Sequence, residues 1–139
     1  MKILEILTPK RRTGNIGEKF AEKHLKKNKY KILKKNYVAV GNEIDIIAEN
    51  KDTLAFVEVK TRTVGHESPR ELRPACAVTK QKQQKIIATA KYYLGTSNSE
   101  KHVSLDIIEV YLNEDKTLNK IIHIENAFNA NTAYERYKR

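Results

Sequence analysis

The stretch from Asn42 to Arg62 constrains this chain more than any other. Ile44, Ile46 and Ala48 alternate with Glu43, Asp45 and Ile47, which is the pattern of a half-buried strand. Leu54, Ala55, Phe56, Val57 and Val59 form a nearly continuous apolar run, which reads as a central strand. The polar Glu49 to Asp52 between them is a turn signal. A symmetric turn centred on Asn50 and Lys51 would pair Glu43 with Glu58 and Asp45 with Phe56. Side chains two apart on a strand share a face, so Glu43, Asp45, Glu58 and Lys60 are expected on one face. Asp45 would lie diagonal to Glu58, about 7–8 Å away between backbones. Three carboxylates there call for a compensating cation. Lys60 supplies one charge, and a hard divalent ion such as Mg²⁺ or Mn²⁺, which takes one or two carboxylates plus waters, would supply two more.

At 139 residues the chain has the length of one domain with one good core. Its 27 Lys+Arg against 17 Asp+Glu give a net charge of +10, which favours an anionic partner, nucleic acid first. An anionic membrane would require a basic amphipathic helix with bulky apolar residues. No apolar stretch approaches transmembrane length, and Glu5 interrupts the short apolar start. With Cys76 as the single cysteine, an intramolecular disulfide and a Cys-x-x-Cys zinc site are both excluded. A cytoplasmic protein with no membrane partner is expected.

Residues 1–13 end in Pro9-Lys-Arg-Arg-Thr13 and read as a flexible basic arm ahead of a single domain, 14–139. Ile16, Phe20, Ala21 and Leu25 follow helical spacing, so a first helix is expected from Gly14. Glu18 falls in its first turn, where the dipole favours a carboxylate; it is also a further acid for the strand-end site. His24, among charged neighbours, reads as surface. A strand is expected over Tyr30 to Val40. Gly65, Pro69 and Pro74 mark the segment after Arg62 as loop, with Arg70 and Arg73 offered to phosphates. Thr79 is expected to cap a helix closed by Gly95, with Ile86, Ile87, Ala90, Tyr93 and Leu94 on one face. Lys80, Lys82 and Lys85 crowd its first half, against the macrodipole, and so favour an anion there. Strands follow over His102 to Leu112 and Leu118 to Ile124. Asp106 interrupts the first and reads as structural. The order helix, three strands, helix, two strands predicts an α/β protein with a mixed sheet and helices on its faces.

The runs Gly-Asn-Glu-Ile-Asp-Ile-Ile-Ala48 and Phe-Val-Glu-Val-Lys-Thr-Arg62 resemble the YraN family. So do Gly14-x-x-Gly-Glu18, Ala77-Val-Thr-Lys80 and Ile122 to Phe128, and together these cover most of the chain beyond residue 13. That family of small bacterial proteins is placed in the PD-(D/E)XK nuclease superfamily, near archaeal Holliday-junction resolvases. The resemblance implies a restriction-endonuclease-like fold, with Asp45 and Glu58 as ligands of Mg²⁺ or Mn²⁺, Lys60 as catalytic lysine and Glu18 as auxiliary acid. Asn42 departs from the pattern, which has glycine before Glu43-Ile-Asp. The expectation is a metal-dependent DNA endonuclease selective for branched structures. Arg62, Arg70, Arg73, Lys80, Lys82 and Lys85 would track the phosphate backbone, and a homodimer would follow the resolvase relatives. The rival expectation is a non-catalytic nucleic-acid-binding module or adaptor, for which the basic surface alone suffices.

Overall fold

The computed structural model describes residues 9–65 and 78–129, and side chains from residue 15 onward. Arg70, Arg73, Cys76 and residues 1–8 lie outside the described residues. The elements are α1 (Pro9–Lys27), β1 (Lys31–Ala39), β2 (Asn42–Glu49), β3 (Thr53–Thr63), α2 (Lys80–Thr96), β4 (His102–Leu112) and β5 (Leu118–Phe128). This is the expected order. Three boundaries differ by more than a residue; one is the end of β5, at Phe128 and not at the expected Ile124. The helical backbone of α1 begins at Pro9, inside the segment expected to be an arm, and proline suits a first helical position because its missing N–H has no partner there. The second helix runs through Gly95 and ends at Ser97, whose N–H donates to the Leu94 carbonyl. Thr79 is its N-cap as expected, accepting from the Lys82 N–H at 3.1 Å.

The five strands form one mixed sheet in the order β1-β2-β3-β4-β5. The first three run as an antiparallel meander, β3 and β4 are parallel, and β5 returns antiparallel. A parallel pair needs a crossover, and α2 provides it. Each face of the sheet has its own apolar cluster. Ala21 and Leu25 of α1 pack on Ile46, Ala55, Val57, Ile108 and Val110. Ile86, Ile87 and Ala90 of α2 pack on Ile44, Ile47, Phe56, Leu105 and Ile107 on the other side. With both faces covered, the central strands are apolar almost throughout: Leu54 to Val57 and Ile107 to Leu112 are all buried, and all apolar save Glu109.

The β2–β3 register differs from the symmetric-turn expectation by two residues: Ile46 pairs with Val57, and Ile47 with Phe56. The cause is the side chain of Asn50. Its Oδ1 accepts from the N–H groups of Asp52, at 3.0 Å, and Thr53, at 2.7 Å, which moves the turn one residue onward. An even displacement keeps every side chain on its own face, so the functional pattern survives. A second irregularity does alter it. Ile44 and Ile46 are two apart, yet Ile44 packs in the α2 cluster and Ile46 in the α1 cluster. The strand therefore turns about its axis at Asp45, facing Asn36, whose φ of 52° is in the left-handed region. The β2–β3 ladder stops at Ile46–Val57, and Asp45 Oδ2 itself accepts from the Val59 N–H at 2.8 Å. A carboxylate thus takes the place of a ladder carbonyl, and the strands part there.

Candidate active site

The parting of β2 and β3 opens the sheet beside Asp45. Glu58 and Lys60 come from β3, and Lys60 Nζ lies 4.0 Å from Glu58 Oε1. Glu18 reaches the opening from α1, because Gly17 lets that helix approach β3 closely. A Cβ on Gly17 would fall 1.8 Å from Thr61 Oγ1, so glycine is required for this contact. Glu18 and Asp45 line one cavity of about 200 Å³ with Asn15, Lys19 and Lys35.

The electrostatics of the cluster are unfavourable when no cation is present. Burial, and then the Asp45 charge, push the Glu58 carboxyl up to about 8 despite Lys60 and Lys82. Burial, then Asp45 and Glu43, push the Glu18 carboxyl up to about 7. The Asp45 charge acts on both carboxyls. Asp45 is thus the centre of a three-carboxylate group. The Glu43 charge acts on Glu18, and the turn of β2 at Asp45 lies between Glu43 and Ile46.

Glu58 is 9% exposed, and its Oε2 is buried with no hydrogen-bond partner. Such an orphan is costly unless something else occupies it. Among the described residues no three His, Cys, Asp or Glu groups converge as a ready metal cage. Mg²⁺ does not need one, since it keeps most of its waters. Two carboxylates on neighbouring strands, one with an unused buried oxygen, fit that requirement. Asp45 and Glu58 would hold the ion.

The expected phosphate-tracking cations divide into different environments. The Arg62 side chain is 11% exposed, with Nε 3.4 Å from Oε2 of the fully buried Glu109. Lys85 is exposed and Lys80 half-buried. Lys82 turns inward, its Nζ 2.7 Å from Asn42 Oδ1 and its charge acting on Glu58. The sequence held the signal for this: Lys82 stands four residues before Ile86 and seven before Thr89, both buried, and so lies on the apolar stripe of α2.

A polar cluster of a different kind lies on the α1 face. Asp106 is fully buried on β4 and is met by His123 Nε2 at 2.8 Å, by the Asn126 N–H at 3.1 Å and by the Ser104 hydroxyl. His24 Nε2 lies 3.2 Å from His123 Nδ1. The structural reading of Asp106 agrees with this, whereas His24, expected on the surface, is half-buried against His123.

Among the described residues no helix is long and apolar enough to cross a membrane. Residues 17–110 match the model of the Uncharacterised protein family UPF0102. A UPF0102 protein of Caldanaerobacter subterraneus subsp. tengcongensis is 48% identical over 122 residues, covering 86% of this chain and 96% of its own. A UPF0102 protein of Clostridium acetobutylicum is 42% identical over 119 residues, with 85% and 94% covered. One from Desulfosudis oleivorans is 41% identical over 130 residues, with 92% and 98% covered. The matched span holds Glu18, Asp45, Glu58, Lys60 and Lys82, and the likeness to YraN read from those stretches is to this same family. The chain belongs to the UPF0102 family.

Proposed function

We propose that this protein is a metal-dependent endonuclease of the PD-(D/E)XK type, acting on DNA phosphodiester bonds and selective for branched or otherwise distorted structures. The observation that supports the reading is the buried Glu58 carboxylate, whose Oε2 has no partner while Oε1 lies 4.0 Å from Lys60 Nζ and the Asp45 charge acts on the group. A carboxylate in that position raises the energy of the metal-free protein, and strain of this kind clusters at functional sites. Asp45 and Glu58 would hold Mg²⁺ or Mn²⁺, which when bound would polarise a phosphodiester oxygen and acidify a coordinated water. Lys60 would orient the attacking water or offset charge growing on the phosphate. Glu18, with its carboxyl near 7, can exchange a proton close to neutral pH. Among the described residues the site presents no evident set of base-reading side chains, and contacts to phosphate carry no sequence information, so shape is the expected basis of selection.

The experiment is cleavage of linear, flapped and four-way DNA with Mg²⁺ or Mn²⁺ at enzyme excess. Lys60→Ala is expected to abolish cutting while leaving binding nearly intact. If all three substrates survive the wild-type protein, the reading fails and a non-catalytic nucleic-acid-binding module takes its place.

A further inference from the structure

Resting on the reading of this site as a phosphodiester site, we propose that Lys82 is a second phosphate-binding residue of the reacting centre, held in place by Asn42, and not one of the cations that follow the nucleic-acid backbone at a distance.

Three observations carry this. First, Lys82 is on the inward face of α2, in the first turn, with Nζ 2.7 Å from Asn42 Oδ1. Asn42 is itself buried, and its amide nitrogen is 3.4 Å from Thr89 Oγ1 and 3.3 Å from the Glu43 carbonyl. Thr89 Oγ1 in turn reaches the carbonyls of Ala39, at 3.1 Å, and Lys85, at 3.0 Å. The β1–β2 turn, α2 and Lys82 are thereby tied into one unit, so the ammonium is not free to sweep the surface as an exposed lysine does. Second, an ammonium has three donors, and among the described residues Asn42 Oδ1 is its one hydrogen-bond acceptor. Two N–H groups remain for an anion. Third, no acidic residue stands in the first turn of α2, and Glu58, two residues after Phe56 on β3, shares the sheet face that α2 covers, so that the Lys82 and Lys60 charges both bear on it. A phosphate oxygen approaching Glu58 would therefore meet Lys60 from β3 and Lys82 from α2.

Asn42 is also where this chain departs from the glycine of the resembling pattern. Glycine could not hold the lysine. Asn42 makes the proposal testable through a residue that need not touch DNA.

The test is a double-mutant cycle on the full chain, in chelator and without divalent metal, measuring affinity for a four-way DNA junction against salt concentration. Lys82→Met is expected to weaken binding several-fold and to lower the salt slope by about 0.9, the loss of one phosphate contact. Asn42→Ala is expected to weaken binding by a smaller factor. Because Asn42 acts through Lys82, Asn42→Ala added to Lys82→Met should cost nothing more, whereas it should add fully to Lys85→Met. Lys82→Arg should restore part of the affinity. Melting temperatures of the same variants separate a structural role, which would move them and leave affinity alone. Additive losses from Asn42→Ala and Lys82→Met, or an unchanged salt slope in Lys82→Met, would overturn the proposal. A wild type that shows this coupling and yet cuts no DNA would defeat the nuclease reading and leave Lys82 as a phosphate contact. A wild type that binds no DNA would end both.

Discussion

Two buried acids, Asp106 and Glu58, sit on neighbouring strands and are treated in opposite ways. Asp106 is fully enclosed, with both carboxylate oxygens partnered by Ser104, Asn126 and His123. Glu58 is nearly as enclosed, yet one oxygen has no partner and its nearest acidic neighbour, Asp45, repels it. A buried charge is tolerated when it is paired and hydrogen-bonded. Asp106 meets that condition from within the chain. Glu58 has Lys60 4.0 Å from one oxygen and no partner for the other, so it meets the condition fully only if something from outside engages that oxygen. The difference separates an acid that holds the fold together from one kept ready for a ligand, although burial is nearly the same at both.

Removal of each acid should therefore have opposite signs. Asp106→Ala leaves His123, Ser104 and the Asn126 N–H without their common acceptor and is expected to cost about 3–5 kcal/mol, the range for a broken buried pair. Denaturant unfolding would measure it, and a loss below about 1 kcal/mol would mean that the cluster is not structural.

Gly17→Ala tests the contact that brings Glu18 to the site. The added carbon meets Thr61 Oγ1 at 1.8 Å, so α1 or the threonine must shift. An overpacking cost of roughly 1–3 kcal/mol is expected, and Thr61→Ala in the same chain should recover much of it. No recovery would show that the helix is seated by other contacts.

Glu58→Gln should stabilise the metal-free protein by about 0.5–2 kcal/mol at pH 8, as relief of site strain commonly does. The pH dependence has a definite sign. Folding raises the Glu58 carboxyl from 4.5 to about 8 and the Glu18 carboxyl from 4.5 to about 7. Between those values the native state holds more protons than the unfolded chain, so the contribution of these groups is present below pH 4.5 and is lost as pH rises to 8. Metal-free wild type should lose stability across that window, and Glu58→Gln should lose less. Mn²⁺ should raise the melting temperature of the wild type and not of Asp45→Asn or Glu58→Gln. Equal pH profiles for wild type and Glu58→Gln would remove the contrast with Asp106.

The smallest effect concerns the turn beside Asn42. Val40 has a φ of 53° and Gly41 of 71°, and Val40 is exposed. Two-residue hairpin turns with both centres at positive φ favour Asn-Gly, and a β-branched residue there is strained. Val40→Asn should gain roughly 0.5–1 kcal/mol. A loss would show that Val40 makes a stabilising contact.

Much of this was legible in the residues. The element order, the Thr79 cap and the two apolar helix faces follow from periodicity and end signals, which act over a few neighbours. Asp45, Glu58 and Lys60 are brought together by strand alternation, and the wrong turn centre did no damage because the error was even. The spacing of Lys82 from the buried Ile86 and Thr89 puts it on the inward stripe of α2 in spite of its charge. His24 was read from its sequence neighbours, whereas its partner His123 lies 99 residues away.

By itself, then, the sequence determined which segments are helix and strand, which faces are apolar, and that carboxylates and a lysine gather at the end of the central hairpin. Tertiary structure alone decided the turn of β2 at Asp45, the inward path of Lys82 to Asn42 and the enclosure of Asp106. The reason is range. Periodicity and capping are set by residues within about two turns or one hairpin, while the environment of a charge is set by whichever distant strand or helix packs over it.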